Sequence, residues 1–383
     1  MPKNTNNLPY FKVRRRTKEK TLADFLLRKF RPRIKEKFPQ HFLVQPIPFK
    51  TLNFIKETSK KYPHFLRFDI RLYYPSINHL ILLKKLPEIY QKVSGNPLSR
   101  RFKKYLKEIP EFLYQSPYRK GLPIGSPLSY TLAGIFLLDL DSKLKNPFLR
   151  QSDDYLVFCK NKKEPELLLR KIILPKLNEL GLEINEKKLK SGKFHQDKVS
   201  FIGFDFFAGY FTISEEKIEE FKKKIAKLTY LTRKKSEKVI IKSLNNQILG
   251  FSHYYKFANC KRVFEDLDAF IRMRLRRWLL SRKELLPGEG NLILTNTALK
   301  SLGLKTLIEI KKRFDSEKKR KIGKIGEKRK RTDQLKKGSN WAQLKEFELK
   351  YQQKLILNQL KQLTTLTKKL EKRIANLERK LAH

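Results

Sequence analysis

The sequence predicts a mixed α+β fold, on three observations. Between residues 61 and 211 short apolar runs with strand character, "HFLRFDI", "DYLVFCK" and "VSFIGFDFF", alternate with helical segments such as "SPLSYTLAGIFLLDLDSKL". Residues 215 to 310 are mostly helical in pattern and rich in Arg and Tyr. From 341 to 381, Leu349, Ile356, Leu360, Leu363, Leu370, Ile374, Leu377 and Leu381 follow the four-three spacing of a coiled-coil seam, interrupted at Gln353 and Thr367.

Taken in order, residues 1–60 are basic and helical in pattern, with Arg14, Arg15 and Arg16 in a run and "QPIPFK" at 45–50 breaking any helix. Residues 61–211 form the mixed unit and 212–310 the helical unit. Residues 311–338 are a Lys/Arg run containing Gly323, Gly326 and Gly338, which reads as a solvated linker, and 339–383 is the heptad tail.

Composition narrows the partners. The chain has 383 residues, 40% of them apolar, which suits a packed core; Lys and Arg number 88 against 38 Asp and Glu, for a net charge of +50. Such a field, with 11% aromatics, points to a polyanion, most simply nucleic acid. The bland alternative is a ribosomal-type or membrane-surface basic protein. No apolar run approaches the ~20 residues that span a bilayer, and "MPKNTNNLPYFKVRRR" lacks the apolar core of a secretory signal. The expected setting is therefore intracellular, a bacterial-type cytoplasm, without a membrane partner. Cys159 and Cys260 are single and far apart, which argues against a disulfide framework, and the six histidines show no metal-ligand spacing.

Against this basic background, "LRQSDDYLVFCK" places Asp153 and Asp154 side by side in a strand-like run, and "RFDIRLYYPSINH" ends another such run at Asp69. Acids brought together at one end of a sheet repel unless a cation joins them, and hard divalent ions prefer carboxylate oxygen. By itself an adjacent acid pair is more often a turn whose side chains bond the local backbone. Order and spacing change the balance.

Several motifs in sequence resemble the reverse transcriptase family, particularly the enzymes of group II introns. "DIRLYYPSINH" (69–79) resembles the first catalytic motif, and "GLPIGSPLSYTLAGIFLLDLD" (121–141) the second at full length. "RQSDDYLVF" is similar to the double-aspartate hairpin, "LGLEINEKK" (180–188) to the fourth motif and "FIGF" (201–204) to the primer-gripping hairpin. "LNNQILGFSHYYKFANCKRVFEDLDAFIRMRLRRWL" (244–279) resembles the thumb, or maturase domain X.

That resemblance implies an α+β right-hand polymerase, with an RRM-like antiparallel palm sheet (61–211), reduced fingers (1–60), a helical thumb (212–310) and a C-terminal coiled coil. The implied reaction is RNA-directed DNA synthesis with two Mg²⁺ ions, Mn²⁺ being a substitute. Asp69, Asp153 and Asp154 would be the catalytic acids and, with the carbonyl of Ile70, the metal ligands. Leu72, Tyr73, Tyr74, Gly125 and Lys188 would meet the nucleotide, the Tyr74 ring crowding a 2′-hydroxyl. Arg14, Arg15, Arg16, Gly121, Pro123, Ile124, Gly203, Tyr254, Tyr255, Arg272, Arg276 and Arg277 would contact nucleic acid. The implied partners are a structured RNA template, an RNA/DNA primer-template duplex and dNTPs.

The chain departs from the family pattern at Ile124, where Gln is usual, at Ser152 preceded by Gln151 rather than Tyr, and at Gly134, where Asn is usual. Ile124 is similar to the residue of diversity-generating retroelement enzymes. The heptads predict self-association or an accessory protein. Two rivals stay open: an RNA-binding maturase or ribonucleoprotein component without polymerase activity, and an enzyme of a retron-like or antiviral defence system.

Overall fold

The computed structural model describes residues 17–37, 48–95, 97–114, 119–123, 125–230, 236–283, 293–317, 320, 353 and 357. The chain divides into two compact units, Met1–Lys311 and Lys312–His383. The Lys/Arg run and the heptad seam lie almost wholly outside the described residues, as do Arg14, Arg15, Arg16 and Ile124.

The first unit is built around a four-stranded antiparallel sheet, consistent with the α+β class. Its strands β1 (His64–Asp69), β2 (Phe148–Gln151), β3 (Asp154–Cys159) and β4 (Lys190–Lys193) lie in the order β2-β3-β1-β4. Successive side chains of a strand point to opposite faces, and here both faces are covered. Leu66, Phe68, Ile70, Tyr155 and Val157 join one core with helices α1 (Thr17–Lys37), α4 (His79–Ser94), α5 (Arg100–Leu113) and α6 (Pro127–Phe136). Phe65, Leu149, Leu156, Phe158 and Phe194 join a second core with the three-stranded sheet β5 (Val199–Phe201), β6 (Phe204–Phe207) and β7 (Tyr210–Ile213). Helices α10 (Glu215–Leu228), α11 (Glu237–Tyr255) and α12 (Lys261–Lys283) complete that core. Double-sided burial is why "HFLRFDI" reads as an almost continuous apolar run.

Local chemistry sets the element ends. The Asn78 side chain accepts from the Leu80 and Ile81 N–H groups at the start of α4, and Gly95, at φ 67°, ends it. The Ser126 hydroxyl accepts from Leu128 N–H, and Pro127 occupies the first turn of α6, where a missing N–H costs nothing. Four smaller elements complete the part that positions the site: α2 (Pro48–Lys61), α3 (Tyr73–Ser76), α7 (Leu138–Asp141), and α8 (Glu164–Leu168) continuing through a π turn into α9 (Leu174–Glu179). A short helix, α13 (Asn296–Ser301), follows α12 among the described residues.

Candidate active site and nucleic-acid cleft

The acids converge through sheet register. Asp69, the last residue of β1, pairs directly with Asp154, the first of β3, so their side chains share one sheet face. Gln151 pairs with Asp154, leaving Ser152 and Asp153 as a two-residue turn. Ser152 has φ 60°, the only positive φ of the two, which is the sign pattern of a type II′ turn. That position normally takes glycine, so the turn carries strain at the acid site.

Neighbouring charges tune the cluster. Burial, and then the Asp69 charge, push the Asp153 carboxyl up to about 6. Asp154 is raised mainly by burial, against the opposing pull of Arg67. The Arg67 guanidinium forks onto Asp154, Nε to Oδ1 at 3.2 Å and Nη2 to Oδ2 at 3.1 Å. Lys188 Nζ donates to Asp69 Oδ2 at 2.9 Å. Burial opposes the Lys188 charge, but the Asp69 hydrogen bond and the charges of Asp69, Asp154 and Asp153 together outweigh it and raise the ammonium's pKa.

The donor set suits a hard cation only in part. Among the described residues no three His, Cys, Asp or Glu side chains are grouped to hold a metal ion, and Asp154 is committed to Arg67. Asp153 remains, together with Asp69, whose Oδ2 accepts from Lys188. Mg²⁺ is usually held by one or two carboxylates rather than by a full protein cage, so the pair suffices to hold an ion whose shell substrate phosphates would complete. Asp69 C=O and Arg71 N–H bond to Asn185 and Glu183 on one side. By the alternation of an antiparallel ladder, the Ile70 carbonyl is therefore directed to the β3 side, toward Asp153.

Other expected nucleotide residues separate into two groups. Tyr74 is half-buried, its hydroxyl raised by burial against the opposing effect of the Ser152 side chain, and it lines a cavity of about 460 Å³ with Leu27, Gly125 and Tyr130. Leu72 is exposed at φ 44°, and Gly125, at φ 88°, has open space where a Cβ would be. Gly121 is also at φ 88°, and a Cβ there would meet the Pro75 carbonyl at 3.3 Å. Tyr73 and Pro123 correct the expectation. The Tyr73 ring is buried with its hydroxyl donated to the Ala133 carbonyl, and Pro123 is buried too, so neither presents a surface to a ligand.

On the far side, the turn Ile202–Gly203 between β5 and β6 is clamped from α11. Tyr254 Oη donates to the Ile202 carbonyl at 3.0 Å, and a Cβ at Gly203 would lie 2.6 Å from Tyr255 Oη. Tyr255 is only 6% exposed, so it holds this turn rather than meeting nucleic acid, whereas Tyr254 keeps an exposed edge. Arg276 is likewise a brace: Nε donates to the Leu294 carbonyl and Nη2 to Asn296 Oδ1, both at 2.7 Å, because the chain after α12 folds back beside it. Arg272 is half-buried and Arg277 exposed on α12. A cleft of about 1090 Å³ is bordered by Arg67, Gln151, Asp154 and Lys188 on the acid side and by Gly203 and Tyr254 on the other.

Arg67 was not among the residues expected from sequence. Its signal was there: two positions before Asp69 on a strand, it must share that acid's face. Asn185, 3.4 Å from Asp69 Oδ1, and the buried Asp141 and Arg150 had no comparable signal.

The family described as reverse transcriptase (RNA-dependent DNA polymerase) matches residues 10–206, more than half of the chain, and the group II intron maturase-specific domain matches residues 218–285. No curated protein sequence matches. Among solved structures, apo telomerase from Candida tropicalis is 14% identical, with a TM-score of 0.43 over 74% of this chain and 51% of that one. Telomerase from Candida albicans in complex with a TWJ fragment of telomeric RNA is 11% identical, with a TM-score of 0.39 over 72% of this chain and 56% of that one. The chain thus spans about half the length of the telomerase chains it matches.

Proposed function

The chain belongs to the reverse transcriptase family and carries a group II intron maturase-specific domain, and on that premise we propose that it extends a primer 3′-hydroxyl with dNTPs on a structured RNA template. The observation that carries this reading is the register that sets Asp69 against Asp154, with Asp153 at the adjoining turn and the acid pair's Arg67 and Lys188 bordering the cleft.

Asp69, Asp153 and the Ile70 carbonyl would hold two Mg²⁺ ions, or Mn²⁺ in their place. Such ions, when bound, activate the attacking hydroxyl and neutralise charge on the leaving pyrophosphate. The chain's own groups do the rest. Tyr74, beside the acid turn, places an aromatic ring where the nucleotide sugar would rest and disfavours a 2′-hydroxyl by crowding. Lys188 Nζ, held charged by its raised pKa, is suited to meeting triphosphate oxygens as a cation and poorly suited to giving up its proton. Arg67 removes Asp154 from the ligand set and makes it a support for the other acids. The net charge of +50 supplies salt-sensitive attraction for the primer-template duplex.

In this reading residues 61–211 are the palm, 212–310 the thumb, 311–338 an RNA-attracting linker and 339–383 a tail for self-association or an accessory protein. The element carrying the RNA would be a group II intron, a retroelement or a defence system. No helix among the described residues is long and apolar enough to cross a membrane.

A second reading, an RNA-binding maturase without polymerisation, draws on the maturase-specific match over 218–285. One experiment separates them: labelled dNTP incorporation on a primed RNA template with Mg²⁺, comparing wild type with Asp153→Ala plus Asp154→Ala. Extension that the double substitution abolishes supports the polymerase. A folded wild type that binds RNA and extends nothing, even with its native RNA supplied, sinks it in favour of the maturase.

A further inference from the structure

Behind the acid turn lies an ion pair with both side chains 0% exposed. Arg150 of β2 meets Asp141 of α7, Nη2 to Oδ2 at 2.6 Å and Nε to Oδ2 at 3.1 Å. Tyr155 of β3 donates its hydroxyl to the other oxygen of Asp141 at 2.8 Å. The remaining reach of the guanidinium is divided. Nη2 donates to the Gly134 carbonyl at 2.9 Å, and Nη1 donates to the Ser152 carbonyl at 3.0 Å. Gly134 lies in the last turn of α6, where carbonyls lack intrahelical partners and a cation is favoured by the helix dipole. One side chain thus ties two helices to the acid hairpin.

A buried ion pair is a poor source of net stability, because desolvation cancels most of the attraction. Its geometry here suggests another purpose. The carbonyl that Arg150 holds belongs to the peptide joining Ser152 to Asp153. A peptide is planar, so fixing that oxygen fixes the plane from which Asp153 projects. Ser152 also sits at φ 60°, a conformation that an unsupported serine leaves readily. We propose that Arg150, oriented by Asp141, is the positioning residue of the acid turn, locking the Ser152–Asp153 peptide so that the Asp153 carboxylate is preset for a divalent cation. The inference rests on the proposed role of Asp153 as a metal ligand.

The test uses the full chain and two variants, with Mn²⁺ binding followed by loss of the free-ion EPR signal beside primer-extension kinetics and thermal unfolding. Arg150→Lys keeps the charge but cannot reach Asp141, Gly134 and Ser152 together. It is expected to weaken Mn²⁺ binding about tenfold and lower kcat about 100-fold, while KM for the nucleotide stays within about twofold. If Arg150→Lys fails to fold, Arg150→Met with Asp141→Leu replaces the pair by apolar side chains that restore packing without the bond to Ser152. That variant is expected to recover Tm but neither Mn²⁺ affinity nor kcat. A folded variant of either kind with wild-type Mn²⁺ affinity overturns the inference, as does a folded wild type that binds no Mn²⁺. A wild type that binds Mn²⁺ without extending primers defeats the proposed polymerase activity alone, and the Mn²⁺ comparison still decides the role of Arg150.

Discussion

Replacing Asp153 by Asn should stabilise the metal-free protein at neutral pH, and the size of the effect follows from the site. Burial and the Asp69 charge move the Asp153 carboxyl from an ordinary 3.8 up to about 6. The folded state then holds this proton more tightly than the unfolded chain does. The contribution to stability is fully present below about pH 4, falls as pH rises toward 6, and is lost above it. At about 1.4 kcal/mol per pH unit between the two values, the ionised acid costs the folded state about 3 kcal/mol at pH 7.5. Asparagine has nearly the same shape and no charge. In EDTA, Asp153→Asn should therefore exceed wild type by about 2–3 kcal/mol at pH 7.5, or roughly 3–5 °C in Tm, and match it near pH 4. Urea unfolding monitored by circular dichroism at both pH values measures the difference directly. Saturating Mg²⁺ should narrow it by stabilising wild type alone. An Asn variant no more stable than wild type at pH 7.5 would refute the idea that buried like charges strain this turn.

Two further substitutions probe the cleft walls. Arg67→Leu strips the fork from Asp154, a carboxylate only 19% exposed, and should cost about 1.5–3 kcal/mol in urea unfolding at pH 7.5; an unchanged midpoint would mean that the fork contributes nothing. Gly203→Ala puts a methyl 2.6 Å from Tyr255 Oη at φ 81°, and should destabilise by about 1–3 kcal/mol. Because two costs are combined there, adding Tyr255→Phe should return part of the loss, and strict additivity in the double-mutant cycle would contradict the clash.

Sequence alone determined much about this chain. The short apolar runs mark the strands, and the acid-bearing motifs appear in the order that the family match over 10–206 also spans. These features are local, set by a residue's own backbone and its near neighbours. Tertiary structure decided what depends on residues far apart in the chain. The pairing of Asp69 with Asp154 is a register across the sheet, and the seating of Lys188 on Asp69 follows from where the chain returns after α9. Tyr73 and Tyr255 read as ligand contacts, yet packing turned them inward, because a large ring next to a helix carbonyl or a glycine turn gains more from burial than from solvent. Arg276 read as a nucleic-acid contact and Arg150 drew no reading at all, and both are held by carbonyls that other segments bring to them, Leu294 to the first and Gly134 and Ser152 to the second. A single strand's pattern names the face on which a residue lies; only the packed chain determines what it meets there.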